Sequence, residues 1–157
     1  MPEQETPQFE GACTCGAVRF RMNKKPMFVH CCHCRWCQRE TGSAFVINAL
    51  IESDCVEILS GRVETVNLPS ASGDGQDVVC CSECHIALWS RYSGLMSFVR
   101  VGTLNEPDLL PPDIHIYTSS KQPWVILPED IPSVPEYYDL ERYWPAQSQA
   151  RIKALSN

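Results

Sequence analysis

Residues 31–37 read Cys31-Cys32-His33-Cys34-Arg35-Trp36-Cys37, four thiols and an imidazole in seven consecutive positions. A Cys-x-Cys-x-x-Cys segment can wrap one soft cation locally, because its thiolates converge without a long loop having to close. Whatever fold the chain adopts must therefore bring this segment into a tight turn. Cysteine also serves as a small buried apolar residue, but this density beside a histidine points to metal ligation. Three ligands from Cys32, Cys34 and Cys37 leave one corner of a tetrahedron free for a distant side chain, a water or a substrate, and the last two are the arrangement of catalytic zinc sites. His33 lies between two of these ligands and is expected to point away from them. Trp36 is expected to act as a wall, since indole offers one donor and a large apolar face.

Ten cysteines in 157 residues allow either a disulfide framework or metal ligation. The start of the chain, MPEQETPQF, is polar and acidic, unlike a secretory signal or an Arg-rich transit peptide. The longest apolar run, residues 44–51, is interrupted by Asn48 and is too short to span a bilayer. The expected setting is therefore the cytoplasm, where thiols stay reduced and clustered cysteines read as metal ligands. The formal net charge is −6. A zinc held by four thiolates would add a charge of about −2, and one held by three about −1. Nucleic acid is accordingly disfavoured as a partner.

Residues 17–22 alternate apolar and basic and suit a half-buried strand. Residues 27–30 lead as a strand into the cysteine segment. Residues 38–43 suit a short helical turn ended by Gly42. Residues 44–51 read as a buried strand. Residues 55–59 and 63–68 flank Ser60-Gly61-Arg62 and predict a hairpin. Further strands are expected over 77–81, 86–92, 97–102 and 113–118, and residues 1–10 as a flexible arm or incoming strand. Twelve prolines favour strands and turns over long helices. Pro145 is expected to open a terminal helix. This predicts one mainly β domain over 1–157, with a zinc-binding core at 10–128 and a C-terminal extension at 129–157. Loops at 69–75 and 139–145 are candidates to shape a pocket or a homo-oligomer contact. Tyr137, Tyr138, Tyr143 and Trp144 are expected to pack against the core.

Two further sulfur hooks are Cys13-x-Cys15, in a Gly-flanked turn, and Cys81-x-x-Cys84. Together they would complete a closed tetrahedral site acting on stability rather than chemistry. Spacing alone would equally let Cys81 and Cys84 complete the central site. Cys81-Ser82-Glu83-Cys84-His85 also matches a c-type haem attachment pattern, but haem would leave the other clusters unexplained. Cys31, Cys55 and Cys80 are left as buried structural cysteines. In extended chain, Cys31 and Cys80 would face away from the neighbouring ligands.

The ordered set Gly11-x-Cys13-x-Cys15-Gly16-x-Val18-x-Phe20, then Cys32-His33-Cys34-x-x-Cys37 with Gly42-Ser43-Ala44-Phe45, then Cys81-x-x-Cys84, resembles the glutathione-dependent formaldehyde-activating enzymes, a family that includes centromere protein V. Val101-Gly102-Thr103-Leu104, His115-Ile116 and Pro123-Trp124 add to the resemblance. It implies a mainly β, β-tent-like fold of antiparallel sheets clasped by zinc. It also implies a structural zinc on Cys13, Cys15, Cys81 and Cys84 and a catalytic zinc on Cys32, Cys34 and Cys37. Where the family has glycine after the last cysteine pair, this chain has His85. The implied reaction is a carbon–sulfur lyase-type one, the reversible addition of glutathione or another small thiol to formaldehyde or a related aldehyde. The three-ligand site is expected to lose metal more readily than the closed one. The competing reading is a non-catalytic zinc-stabilised binding module, with His33 or His85 filling the fourth corner.

Overall fold

The computed structural model describes residues 9–157. The expected arm or incoming strand at 1–10 lies outside the described residues up to residue 8, and its last two residues open strand β1. Among these residues ten strands form two sheets. The smaller sheet has the order β1–β2–β5, with β1 at Phe9–Ala12, β2 at Arg19–Met22 and β5 at Val56–Ser60. The larger has the order β10–β3–β4–β9–β8–β7–β6. Its strands are β3 at Phe28–Cys32, β4 at Val46–Glu52, β6 at Val63–Leu68, β7 at Gln76–Cys81, β8 at Ala87–Arg91, β9 at Met96–Arg100 and β10 at Ile114–Ile116. All neighbours run antiparallel except β10, which joins β3 in parallel.

Period-2 alternation divides the buried side chains into two cores. Phe20 and Met22 of the small sheet meet Val29, Ala49, Ile51, Trp89 and Val99 of the large one. The other face of the large sheet, carrying Phe28, Cys32 and Leu50, packs under Tyr138 and Trp144. β3 is buried along its whole length because it has strands on both edges and side chains packed on both faces. The residues after β10 thus complete the second core. Asp139 caps a short helix, α2, at Leu140–Tyr143, where the sequence suggested only a loop. The terminal helix, α3, runs Ala146–Leu155, with Pro145 at its N-cap. Tyr138 and Trp144 pack as expected, and the Trp144 indole N–H donates to the Tyr138 hydroxyl at 3.0 Å.

The expected hairpin at 55–68 does not form. β5 pairs with β2 in the small sheet and β6 pairs with β7 in the large one. Gly61, at φ 82°, carries the chain between them. A Cβ on Gly61 would lie 2.2 Å from the Ala17 carbonyl oxygen, so the backbones meet there too closely for any side chain. Two alternating segments with a turn between them predict strands, but not which strand each one joins.

Candidate metal centres

β3 delivers Cys32 on the face of the large sheet opposite the small sheet, and the chain then turns directly into helix α1, Arg35–Thr41. Cys34 occupies the N-cap, its sulfur accepting the Cys37 N–H at 3.4 Å. Gly42 ends the helix at φ 63°, donating to the Gln38 carbonyl at 2.8 Å. The Gln38 side chain fixes the turn by donating to the carbonyls of His33 at 2.7 Å and Ser120 at 2.9 Å. The sulfurs of Cys32, Cys34 and Cys37 all fall within 4.8 Å of one another. Hydrogen bonds from Cys32 and then Cys37 hold the Cys34 thiol far below its ordinary range, while the same contacts push Cys32 up to about 12 and Cys37 up as well. With one thiol held low and two held high, all three become thiolates together only with a cation among them. Sulfurs on one tetrahedral zinc stand about 3.8 Å apart, so the donor set fits zinc.

These sulfurs line a cavity of about 380 Å³, within the roughly 300–1,000 Å³ of ordinary ligand pockets. Trp36, Tyr92, Phe98, Tyr117 and Tyr137 supply aromatic wall. Ser70 to Ser72, from the loop expected to shape a pocket, close one side. Trp36 is 44% exposed, a wall as expected. Tyr117 sits at φ 54°, a left-handed conformation that a bulky residue rarely adopts.

His30, Asn48 and Gln76 give the cavity a polar floor, and Glu40 and Arg100, which do not line it, hold Asn48 and Gln76 through hydrogen bonds. Arg100 donates to the Asn48 side-chain oxygen and pairs with Glu40, and Gln76 donates to the other Glu40 oxygen at 3.2 Å. With its oxygen held by Arg100, the Asn48 amide turns its N–H₂ toward His30 Nε2 at 3.5 Å. Burial, and then the Arg100 charge, press His30 down to about 3, so its imidazole is neutral near pH 7. His30, Asn48, Gln76, Glu40 and Arg100 were missed in the sequence. The available signals were His30 two residues before Cys32, hence on the same strand face, and Asn48 interrupting an apolar run.

Cys13, Cys15, Cys81 and Cys84 form a second cluster, with Cys13–Cys15 at 3.5 Å and Cys15–Cys81 at 3.9 Å. Backbone N–H groups point at the sulfurs, Val18 to Cys13 at 3.3 Å and Glu83 and Cys84 to Cys81 at 3.4 and 3.5 Å. Such donors stabilise thiolate, and the spacing again suits one tetrahedral ion. All ten cysteines are free thiols. Neither histidine considered for the open corner joins the central three sulfurs. His85, at φ 61°, turns to Glu64 at 2.7 Å. His33 turns to Cys31 and His115, forming a third cluster of metal-ligating side chains. Cys55 and Cys80 are buried outside these clusters.

Residues 8–120 match the family described as glutathione-dependent formaldehyde-activating enzyme. A Halomonas elongata protein bearing that same name provisionally is 28% identical over 125 residues, 74% of this chain and 78% of its own length. The crystal structure of a Rhodobacter sphaeroides protein is similar with a TM-score of 0.47 and 17% identity, covering 80% of this chain and 99% of that one. The matched residues contain all three cysteine segments, strand β3 that leads into the central one and the parallel strand β10 beside it, and the chain belongs to the glutathione-dependent formaldehyde-activating enzyme family.

Proposed function

We propose that this chain is a zinc-dependent carbon–sulfur lyase-type enzyme that reversibly joins glutathione or another small thiol to formaldehyde or a related aldehyde. The observation that carries this reading is the set of three convergent sulfurs opening onto a walled cavity, within a chain of this family. Cys32, Cys34 and Cys37 would hold the catalytic zinc, and Cys13, Cys15, Cys81 and Cys84 a structural one. Zinc held by the three thiolates would supply the positive charge that keeps an incoming thiol deprotonated at neutral pH.

The chain's own residues do the rest. The aromatic walls exclude water and hold the carbon skeleton of the thiol against the sulfurs. As the C–S bond forms, the carbonyl π pair moves to oxygen, and that oxygen takes up the proton the thiol released. Tyr92 and Tyr117 keep their protons, raised first by burial and then by the nearby cysteines, so their hydroxyls are neutral donors beside the cavity. The lining is aromatic or uncharged apart from the sulfur centre, and among its described residues there is no Lys or Arg. This favours a thiol with an apolar body. The protein belongs in a reducing compartment such as the cytoplasm, where ten thiols stay free. Among the described residues no helix is long and apolar enough to cross a membrane.

The test follows hydroxymethyl adduct formation by NMR together with zinc content. Cys34→Ser should lose one zinc per chain and at least 100-fold in turnover, with the circular dichroism of the β fold retained. Unchanged turnover would overturn the reading. Benzyl mercaptan should show a higher kcat/KM than glutathione with formaldehyde; the reverse order would return the substrate to glutathione.

A further inference from the structure

The third cluster lies on the opposite face of β3 from the central cysteines. The parallel pairing of β10 with β3 sets His115 beside Cys31 in register. His33, two residues beyond Cys31, points the same way, its backbone N–H donating to the Ile116 carbonyl at 3.0 Å. Gln38 and Ser120 both donate to the His33 carbonyl, at 2.7 and 3.0 Å, so the residue has little freedom to turn. Cys31, His33 and His115 are 1%, 0% and 7% exposed.

We propose that Cys31, His33 and His115 form a metal site separate from both cysteine clusters, taking a borderline-soft divalent ion of the zinc class. The donor atoms are already spaced for it. Cys31 Sγ lies 3.6 Å from His33 Nε2, which lies 3.0 Å from His115 Nδ1, and all three atoms fall within 4.8 Å of one another. A tetrahedral zinc with bonds of about 2.0–2.1 Å to nitrogen and about 2.3 Å to sulfur sets its nitrogens roughly 3.3 Å apart and nitrogen from sulfur roughly 3.6 Å. Thiolate with imidazole selects zinc-class ions over magnesium or calcium, which take oxygen donors. One thiolate and two neutral imidazoles leave the loaded unit with a charge of about +1, opposite in sign to the three-thiolate centre behind it. The ion would cross-link the two strands that frame the central segment. Cys31 and His33 alternate with Cys32 and Cys34 across the end of β3 and the turn that follows it, so one short segment would hold a metal on each side.

The experiment is cadmium-113 NMR on protein refolded with cadmium, alongside metal content of the zinc-loaded protein. Three ions per chain and three resonances are expected, the most shielded arising from the nitrogen-rich site. His115→Ala and Cys31→Ser should each lower the count from three to two and remove that resonance while the two sulfur-rich ones persist. Cys34→Ser should instead remove a sulfur-rich resonance and leave the nitrogen-rich one. Absence of the shielded, nitrogen-rich resonance from the parent protein, or its persistence in His115→Ala, would overturn the proposal. The parent spectrum decides the matter even where a variant does not fold. The count at this site is independent of turnover, so its failure and failure of the enzymatic reading are separately visible.

Discussion

His85 keeps a left-handed backbone, φ 61°, at the turn that follows Cys84. A side chain in that conformation costs roughly 1–2 kcal/mol, and its exposed contact with Glu64 returns at most about 1 kcal/mol. Glycine removes the strain, and a β-branched residue increases it. Urea unfolding of the zinc-loaded variants should therefore find His85→Val less stable than His85→Gly by roughly 2 kcal/mol. Equal stabilities would show that the turn relaxes around any side chain. At this scale the cysteines were legible, because metal ligation needs certain residue types at short fixed spacing. The hydrogen-bonded network that holds the cavity floor was not. Glu40, Asn48, Gln76 and Arg100 come from four elements, and each alone looks like an ordinary polar residue. Only the fold turns them into one hydrogen-bonded row. Likewise, the sequence marks Cys31 and His33 as facing away from the central ligands, but only strand pairing brings His115 to them.

Helix α3 is tied to strand β4 through Arg151, which makes two hydrogen bonds to Glu52 at 2.8 and 2.6 Å. Glu52 is buried and Arg151 partly exposed. Truncating Arg151 leaves the carboxylate with its own backbone N–H and Lys24 at 4.0 Å. Arg151→Ala should cost roughly 2–3 kcal/mol, the low end for breaking a buried pair because one partner meets solvent. Burial alone would raise the Glu52 carboxyl, but Arg151, then the residue's own backbone N–H, then Lys24 hold it below the usual value of 4.5. A depressed carboxyl stabilises the fold fully above that usual value, and the contribution is lost as pH falls through the depressed one. The stability gap between parent and Arg151→Ala, read by hydrogen exchange in α3, should be constant near pH 7 and close as the carboxyl protonates. A gap that persists in acid would assign the effect to packing of the Arg151 stem. Strands at this scale were legible from alternation, and Gly42 as a helix end from its freedom at positive φ. Pairing was not legible: β5 and β6 part company at Gly61, and β10 joins its neighbour in parallel over only three residues. Partner choice rests on cores that assemble from distant segments.

At the scale of the molecule the two sulfur clusters differ in what they hold together. The four-sulfur cluster brings the turn between β1 and β2 to the turn between β7 and β8, and a metal held there would clasp one sheet to the other. The three-sulfur cluster closes within one turn. Cys84→Ser should lower the melting temperature by at least about 10 °C, since losing several kcal/mol of binding-linked stability moves a chain of this size by about 2–4 °C per kcal/mol. Cys34→Ser should lower it by only a few degrees. Equal losses would show that the central segment also carries the fold. The parallel strand β10 has a consequence for synthesis. Cys37 leaves the ribosome 80 residues before Tyr117, which follows the strand covering that edge. At roughly 5–20 residues per second this is an interval of about 4–16 s. During it, three local thiols can already gather a cation, while the roof over them does not yet exist. Capture of a zinc there would therefore come first and enclosure second, and a nascent chain starved of zinc would meet oxidants with these three sulfurs bare.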